Sequence, residues 1–400
     1  MSVPKLRFSE FLDTGKWKDK KLGDLSEILR GGSPRPIEDF LTTDVDGLNW
    51  LKIGDVDKNS KYVTNTQERV RPAALSKTRE VNPGDLILSN SMSFGRPYIL
   101  KIKSCIHDGW IAITEIDKQI DRDYLYYLIT SPTTQAYFLN NAAGSGVQNL
   151  NADIIKLLPI LFPQKSEQQK IADCLSSLDD SITLENQKLD TLKAHKKGLM
   201  QQLFPAEGET LPKLRFPEFR DAPEWKVKQL KFICHMQAGK YVSASEISEQ
   251  YKSGLYPCYG GNGLRGYTKT YTHSGKYPLI GRQGALCGNI KLGVDRFHAT
   301  EHAVVATPRE HIDVNWLFYK LDFLNLNRYA TGQAQPGLSV DVLEQVSIVV
   351  PEIEKEQKKI ADCLSSIDEA IAAQSQAIDL LKLHKKGLMQ QLFPSQKNEK

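Results

Sequence analysis

His298 and His302 stand four residues apart with Glu301 between them, an H-x-x-E-H spacing that could set two imidazoles and a carboxylate around one zinc ion. That chemistry needs a helix, where positions i and i+4 share a face. Phe297 to Ala306 is instead rich in Ala, Thr and Val and runs up to Pro308, so it reads as one strand. On a strand the two imidazoles would lie about 13 Å apart, too far for one ion to bridge. A single-chain metal-dependent enzyme is therefore the weaker reading, and no metal is expected. Gly261-Asn262-Gly263-Leu264-Arg265-Gly266 matches G-x-G-x-x-G. A dinucleotide site would need a helix to open directly after it. Tyr267 to Thr272 is β-like, so the glycines read as a tight turn holding Asn262 and Arg265 outward. The phosphate loop G-x-x-x-x-G-K-[ST] and the nucleophile elbow G-x-S-x-G are both absent. So is an Asn-Pro-Pro-Tyr element of the kind amino-methyltransferases carry. No catalytic residue is expected on this chain.

What remains is a set of polar loops suited to DNA. Ser33 and Arg35 lie in Gly31–Pro36, and Lys52 follows Trp50-Leu51. Ser91, Ser93 and Arg96 share the hydroxyl-rich run 89–96, and Gln148 lies in Gly146–Leu150. Farther on come Tyr259, Asn262, Arg265 and Tyr267, then Arg282 and Gln283 in a Gly-Arg-Gln-Gly loop, His298, and Gln335 in 332–338. Arg and Lys suit guanine edges and Asn and Gln suit adenine, while hydroxyls hold phosphates. These residues are the candidate DNA contacts, and an Arg that reaches guanine bidentately is expected to contribute about 1–3 kcal/mol.

Two long repeats must position these loops. EQQKIADCLSSLDDSITLENQKLDTLKAHKKGLMQQLFP runs from Glu167 to Pro205, and a near copy begins 189 residues on, at Glu356, and ends at Pro394. Apolar residues recur at spacings of four and three: Ile171, Leu175, Leu178, Ile182, Leu189, Leu192, Leu199 and Leu203, with Ile360, Leu364, Ile367, Ile371, Ile378, Leu381, Leu388 and Leu392 in the copy. That is the seam of a coiled coil. Glu185 and Lys196, and Gln374 and Lys385, interrupt the seams at matching places. The basic groups at Lys193–Lys197 and Lys382–Lys386 suit a solvated face or helix-end compensation as well as they suit DNA or a partner. A shorter motif, Lys5-Leu6-Arg7-Phe8 with Trp17, returns as Lys213-Leu214-Arg215-Phe216 with Trp225.

The duplication implies an order of motif, variable block and long helix, twice over. The fold expected is α+β: two globular recognition domains joined by two long helices in an antiparallel coiled coil, with pseudo-twofold symmetry. Residues 1–163 hold the first motif and first domain, 164–204 the first spacer helix, and 205–227 a linker with the repeated motif. Residues 228–351 form the second domain, 352–394 the second spacer helix, and 395–400 a tail. In the first block Asp123 to Leu139 reads as one amphipathic helix; in the second, Val314 to Asn325 does. The net charge of +4 permits a nucleic-acid partner without demanding one. Six single cysteines, none in C-x-x-C, read as buried thiols in a reducing, cytoplasmic setting. Met1 to Phe11 lacks an apolar core of signal-peptide length, and no apolar run is long enough to span a bilayer.

With these residues in view, the chain resembles the specificity subunit of type I restriction-modification systems, the HsdS family, over essentially its full length. The paired KLRF and Trp motifs carry the likeness, with Gly31–Pro36, Trp50–Asp55, and the E-Q-x-K-I-A-D-C-L-S-S helix starts that end in KKGLMQQLFP. The resemblance implies a non-catalytic DNA specificity subunit. Each recognition domain would bind one half of a bipartite, asymmetric site in double-stranded DNA. Two methyltransferase subunits would dock on the shared helices, and restriction subunits would join them. S-adenosylmethionine, ATP and Mg would belong to those partner subunits, with no cofactor on this chain and no membrane association. A coiled-coil scaffold without a DNA role is the other alternative.

Overall fold

The computed structural model describes residues 4–57, 60–90, 94–142, 149–284, 286–332 and 336–394. The chain divides into two units: residues 1–185 with 377–400, and residues 186–376. The long helices span Lys165–Leu203 and Glu354–Leu392, 39 residues each. Each unit therefore holds the start of one helix and the end of the other.

In the first unit, one five-stranded sheet runs in the order Glu27–Arg30, Trp110–Thr114, Leu86–Ser89, Pro97–Leu100, Tyr62–Val63. A second is built from Leu41–Thr42, Glu68–Val70, Leu48–Leu51, Ser104–Ile106 and Arg79–Val81. The second unit has two four-stranded sheets. One orders Cys234–Ala238, Ala303–Pro308, Tyr277–Gly281 and Ile290–Gly293; the other orders Gly263–Thr268, Tyr256–Gly260, Arg296–Ala299 and His273–Ser274. Each unit adds a two-stranded ribbon at matching places. Lys18–Lys21 pairs with Pro159–Phe162, and Lys226–Gln229 pairs with Ser347–Val350. The ribbon ties the repeated N-terminal motif to the strand that enters each long helix.

Two expected elements are corrected. The single helix from Asp123 to Leu139 is two helices, Arg122–Thr130 and Pro132–Asn141. Ser131 ends the first and caps the second, its side chain accepting from the Thr134 amide. Pro132 then occupies the first position of the new helix, where a missing N–H costs nothing and where the preceding residue is driven to extended geometry. The strand expected from Phe297 to Ala306 is two strands, Arg296–Ala299 and Ala303–Pro308, with a turn between them.

Within each unit the two helix segments run antiparallel. In the first, Ile171 and Leu175 share a core with Met389, Leu392 and Phe393 and with Tyr124 and Leu125 of the globular part. In the second, Met200, Leu203 and Phe204 share one with Ile360, Leu364, Trp316 and Leu317. Full burial of each such side chain is worth about 1.5–3 kcal/mol. The residues common to both repeats turn out to be the joints between these parts. Arg7 grips Glu167 through two bonds of 2.7 Å, and Arg215 grips Glu356 at 2.7 and 2.9 Å. Gln168 accepts from the Asp121 amide and donates to the Gln119 and Pro163 carbonyls; Gln357 repeats this with Asp313, His311 and Pro351. Asp121 and Asp313 in turn cap the helices beginning at Arg122 and Val314.

The seam lysines have partners too. Lys385 pairs with Asp179, to which Tyr127 donates its hydroxyl at 2.8 Å. In the second unit Lys196 lies 2.7 Å from Asp368, which accepts from the Tyr319 hydroxyl at 2.8 Å. Each lysine also sits over the ring of its tyrosine. So Lys196 and Lys385 hold helix to helix and helix to domain, while Lys193, Lys197, Lys382 and Lys386 remain exposed. Among the described residues no helix is long and apolar enough to cross a membrane.

Candidate nucleic-acid interface

Gly31–Pro36 leaves the edge of the first sheet and lies flat on the 104–110 segment. The Gly31 amide donates to the Trp110 carbonyl at 2.9 Å, and a Cβ on Gly31 would stand 2.1 Å from the His107 carbonyl oxygen. Only glycine permits that approach. The loop thereby closes one side of an open groove of about 790 Å³. Ser33, Arg35 and Lys52 line it, with Arg30, Asn90 and Asn149, and Trp50 and Ile53 contribute apolar walls. The sequence therefore brings together three of its candidate residues here.

The groove's charges are balanced rather than basic. Arg30, Arg35 and Lys52 face Glu38, Glu68 and Asp108. Lys52 Nζ sits 2.6 Å from Glu68 Oε1. Ser33 Oγ donates to Asp108 Oδ1 at 2.8 Å, and this hydrogen bond is the main reason the Asp108 carboxyl titrates below the usual range. Burial lowers the pKa of His107, whose Nε2 accepts from the Ile53 amide at 3.1 Å. A row of unpaired cations would mark a phosphate rail; paired groups with free hydrogen-bonding edges suit base recognition better. Arg96 is half-buried at the root of the loop between Leu86–Ser89 and Pro97–Leu100, its backbone bonded to Ser89, and does not line the groove. Ser91, Ser93 and Gln148 lie outside the described residues.

In the second unit the glycine pattern at 261–266 forms a hairpin. Tyr256–Gly260 and Gly263–Thr268 pair antiparallel, and Asn262 and Arg265 are exposed. A Cβ on Gly281 would lie 2.0 Å from the Gly261 carbonyl oxygen, so the hairpin tip and the Gly281–Gly284 loop abut. The Arg282 amide donates to the His302 carbonyl, and the Arg282 carbonyl accepts from the Leu338 amide, both at 2.9 Å. Gln283 pairs with Gly337 through an isolated bridge. Asn262, Arg282 and Gln283 thus come from distant stretches to one loop cluster, with Gln283 exposed and Arg282 half-buried. Gln335 lies outside the described residues; the next residue, Pro336, accepts from the Gly284 amide at 3.0 Å. Tyr259 packs edge-on against Phe297, and Tyr267 against Tyr251.

His298 is a correction. It is buried, with Nδ1 3.0 Å from Thr270 Oγ1 and Nε2 3.0 Å from the Lys240 carbonyl oxygen. Both ring nitrogens are used inside the protein, so none is free for a base or a metal. His302 belongs to the turn that follows and pairs with Glu301 at 3.2 Å. Among the described residues there is no group of three or more His, Cys, Asp or Glu able to hold a metal ion. The sequence reading missed Arg30, Asn90, Asp108 and Asn149. Asn90 and Asn149 lie inside the polar runs 89–96 and 146–150 already singled out, where the neighbouring Ser91 and Gln148 were chosen in their place. Asp108 carried no such signal.

The profile of the family described as "Type I restriction modification DNA specificity domain" matches residues 14–194 and 223–383. The chain is 31% identical over 328 residues to the type I restriction enzyme EcoprrI specificity subunit of Escherichia coli, covering 80% of each chain. It is 25% identical over 411 residues to the MjaVIII specificity subunit of Methanocaldococcus jannaschii, covering 94% of this chain and 92% of the other. Among solved structures, the S subunit of a type I system from M. genitalium superposes with a TM-score of 0.63 at 17% identity, covering 99% of this chain and all of the other. A chain from a structural study of type I complex assembly and conformational transition gives 0.60 at 17%, covering 94% of this chain and 96% of that one. At that identity these two likenesses concern the fold.

Proposed function

Because the chain belongs to the type I restriction modification DNA specificity family, we propose that its two units read the two different halves of one divided, asymmetric site in double-stranded DNA. The observation that carries this reading is the division between what repeats and what does not. The repeated residues, Arg7 and Arg215, Glu167 and Glu356, Gln168 and Gln357, and the Tyr–Asp–Lys sets, build the joints between helix and domain. The unrepeated residues form two dissimilar loop clusters rich in Arg, Asn, Gln and Ser. A common frame with unlike reading surfaces is what a divided site with unlike halves requires.

The remaining parts follow from the same division. The near-identical helices suit two copies of a methyltransferase subunit, one for each repeat, and a restriction subunit would join that complex. Transfer of the methyl group from S-adenosylmethionine and the use of ATP and Mg then fall to those partners, while this chain selects the sequence without catalysis. The cytoplasm, where chromosomal DNA and those partners meet, is its place of action. The 39-residue helices are the elements whose length would set the unread gap between the half-sites. Mapping methylated adenines across the genome of a cell that carries this chain and its methyltransferase tests the reading. A split motif with two unlike halves is expected, and a contiguous palindrome would refute it.

A further inference from the structure

We infer that Arg35 and Asp108 together read a single G·C base pair in the half-site of the first unit, with Ser33 as the residue that positions Asp108. This rests on the DNA-specificity reading above and assigns it one contact.

Asp108 is anchored through its backbone and one carboxylate oxygen, with its side chain 42% exposed to the groove. Its amide donates to Ser33 Oγ at 3.2 Å, and its carbonyl accepts from Asn90 Nδ2 at 2.8 Å and from Arg30 Nε at 3.2 Å. Oδ1 accepts from the Ser33 hydroxyl. Oδ2 is the oxygen left toward Arg35, whose Nη2 lies 3.6 Å away. That is beyond a good hydrogen bond. The Arg35 side chain is 83% exposed, and such an exposed ion pair holds weakly. The result is a carboxylate oriented by Ser33, with Oδ2 exposed beside a guanidinium that is free to swing, both on the wall of the groove.

A carboxylate in a DNA groove is repelled by phosphates unless a donor meets it. In the major groove cytosine N4 and adenine N6 are such donors, while thymine O4 and guanine O6 are acceptors that a carboxylate rejects. Once Arg35 turns to O6 and N7 of a guanine, the cytosine paired with it offers N4–H beside those atoms. That amino group replaces the arginine as the partner of Oδ2. Adenine would satisfy Asp108 but brings thymine, which leaves Arg35 without its bidentate acceptor. The pair thus selects one base pair in one orientation, partly by attraction and partly by rejection.

The full chain, assembled with its methyltransferase partner, is used to select from a pool of duplexes randomised across both half-sites. In the wild-type complex one position of the first half-site should be G·C. Asp108→Asn should flatten its preference for cytosine over thymine by about tenfold or more, because an amide can also donate to O4. Ser33→Ala should weaken the same preference less. Arg35→Ala should lose the guanine preference, and Arg35→Lys, which keeps the charge but not the fork, should weaken it. The second half-site should be unchanged in all four, which reports that the chain is folded. If Asp108→Asn keeps the wild-type preference at every position, the inference is overturned; if it disrupts both halves, Ser33→Ala decides, and an unchanged cytosine preference there overturns it. A wild-type complex with no sequence preference would remove the DNA-specificity reading itself, and this inference with it.

Discussion

Arg7→Ala should destabilise the first unit by about 3–5 kcal/mol, the range for breaking a buried ion pair from one side. The structure sets the reasoning. Glu167 is 1% exposed and accepts two charge-assisted bonds of 2.7 Å from Arg7. Removing the guanidinium leaves that carboxylate in a dry site without its cation. Replacing both members, as in Arg7→Met with Glu167→Leu, removes the stranded charge as well and should cost no more than about 2 kcal/mol. The second unit supplies an internal comparison. Glu356 also accepts from Trp225 Nε1 at 3.1 Å, whereas Trp17 Nε1 in the first unit has no partner among the described residues. Arg215→Ala therefore leaves its carboxylate one donor, and should cost about 1 kcal/mol less than Arg7→Ala. Urea denaturation followed by circular dichroism, run as a double-mutant cycle on each pair, measures all of these values. A loss below about 1 kcal/mol for Arg7→Ala, or a double variant as unstable as the single, would refute the reasoning.

Other outcomes are expected from the same structure. Lys320 is buried against the Phe204 and Phe323 rings, and burial lowers its pKa from 10.5 to about 8. The unfolded chain then binds a proton that the folded chain lacks between those pH values, so stability should rise with pH from about 8 to 10.5. Lys320→Met should raise stability at pH 7 by roughly 3 kcal/mol and remove that rise, read from thermal melts across the pH range. Gly281→Ala puts a methyl group against the Gly261 carbonyl oxygen and should part the two loops of the second unit. Selection from randomised duplexes should then show its half-site degraded and the other intact. Tyr127→Phe removes one donor to Asp179 while Lys385 remains, and should cost about 1–1.5 kcal/mol in urea denaturation.

The long helices were legible because their signal is local and doubled: a four-three apolar spacing, uninterrupted by proline, written twice. The break at Ser131-Pro132 was legible in principle, since a Ser cap before Pro is a helix-start signal, but the apolar spacing on either side masked it. The role of the seam lysines was not legible. Lys385 and its partner Asp179 are 206 positions apart, and no periodicity links them. His298 shows the same limit at the candidate site. Its exposure to DNA was inferred from residue type, but Thr270 and the Lys240 carbonyl, brought to it by the fold, use both nitrogens. The loops at 261–263 and 281–284 could each be marked as polar turns. That they touch follows from two glycines without side chains, which only the folded backbone reveals.

The central claim is that each unit reads its own half of the site independently. Exchange of residues 228–351 for the corresponding block of a relative with a different site, followed by methylated-adenine mapping, tests it most directly. One half of the motif should change to the relative's, while the other half and the gap stay as they were. A change in both halves, or in neither, would contradict it.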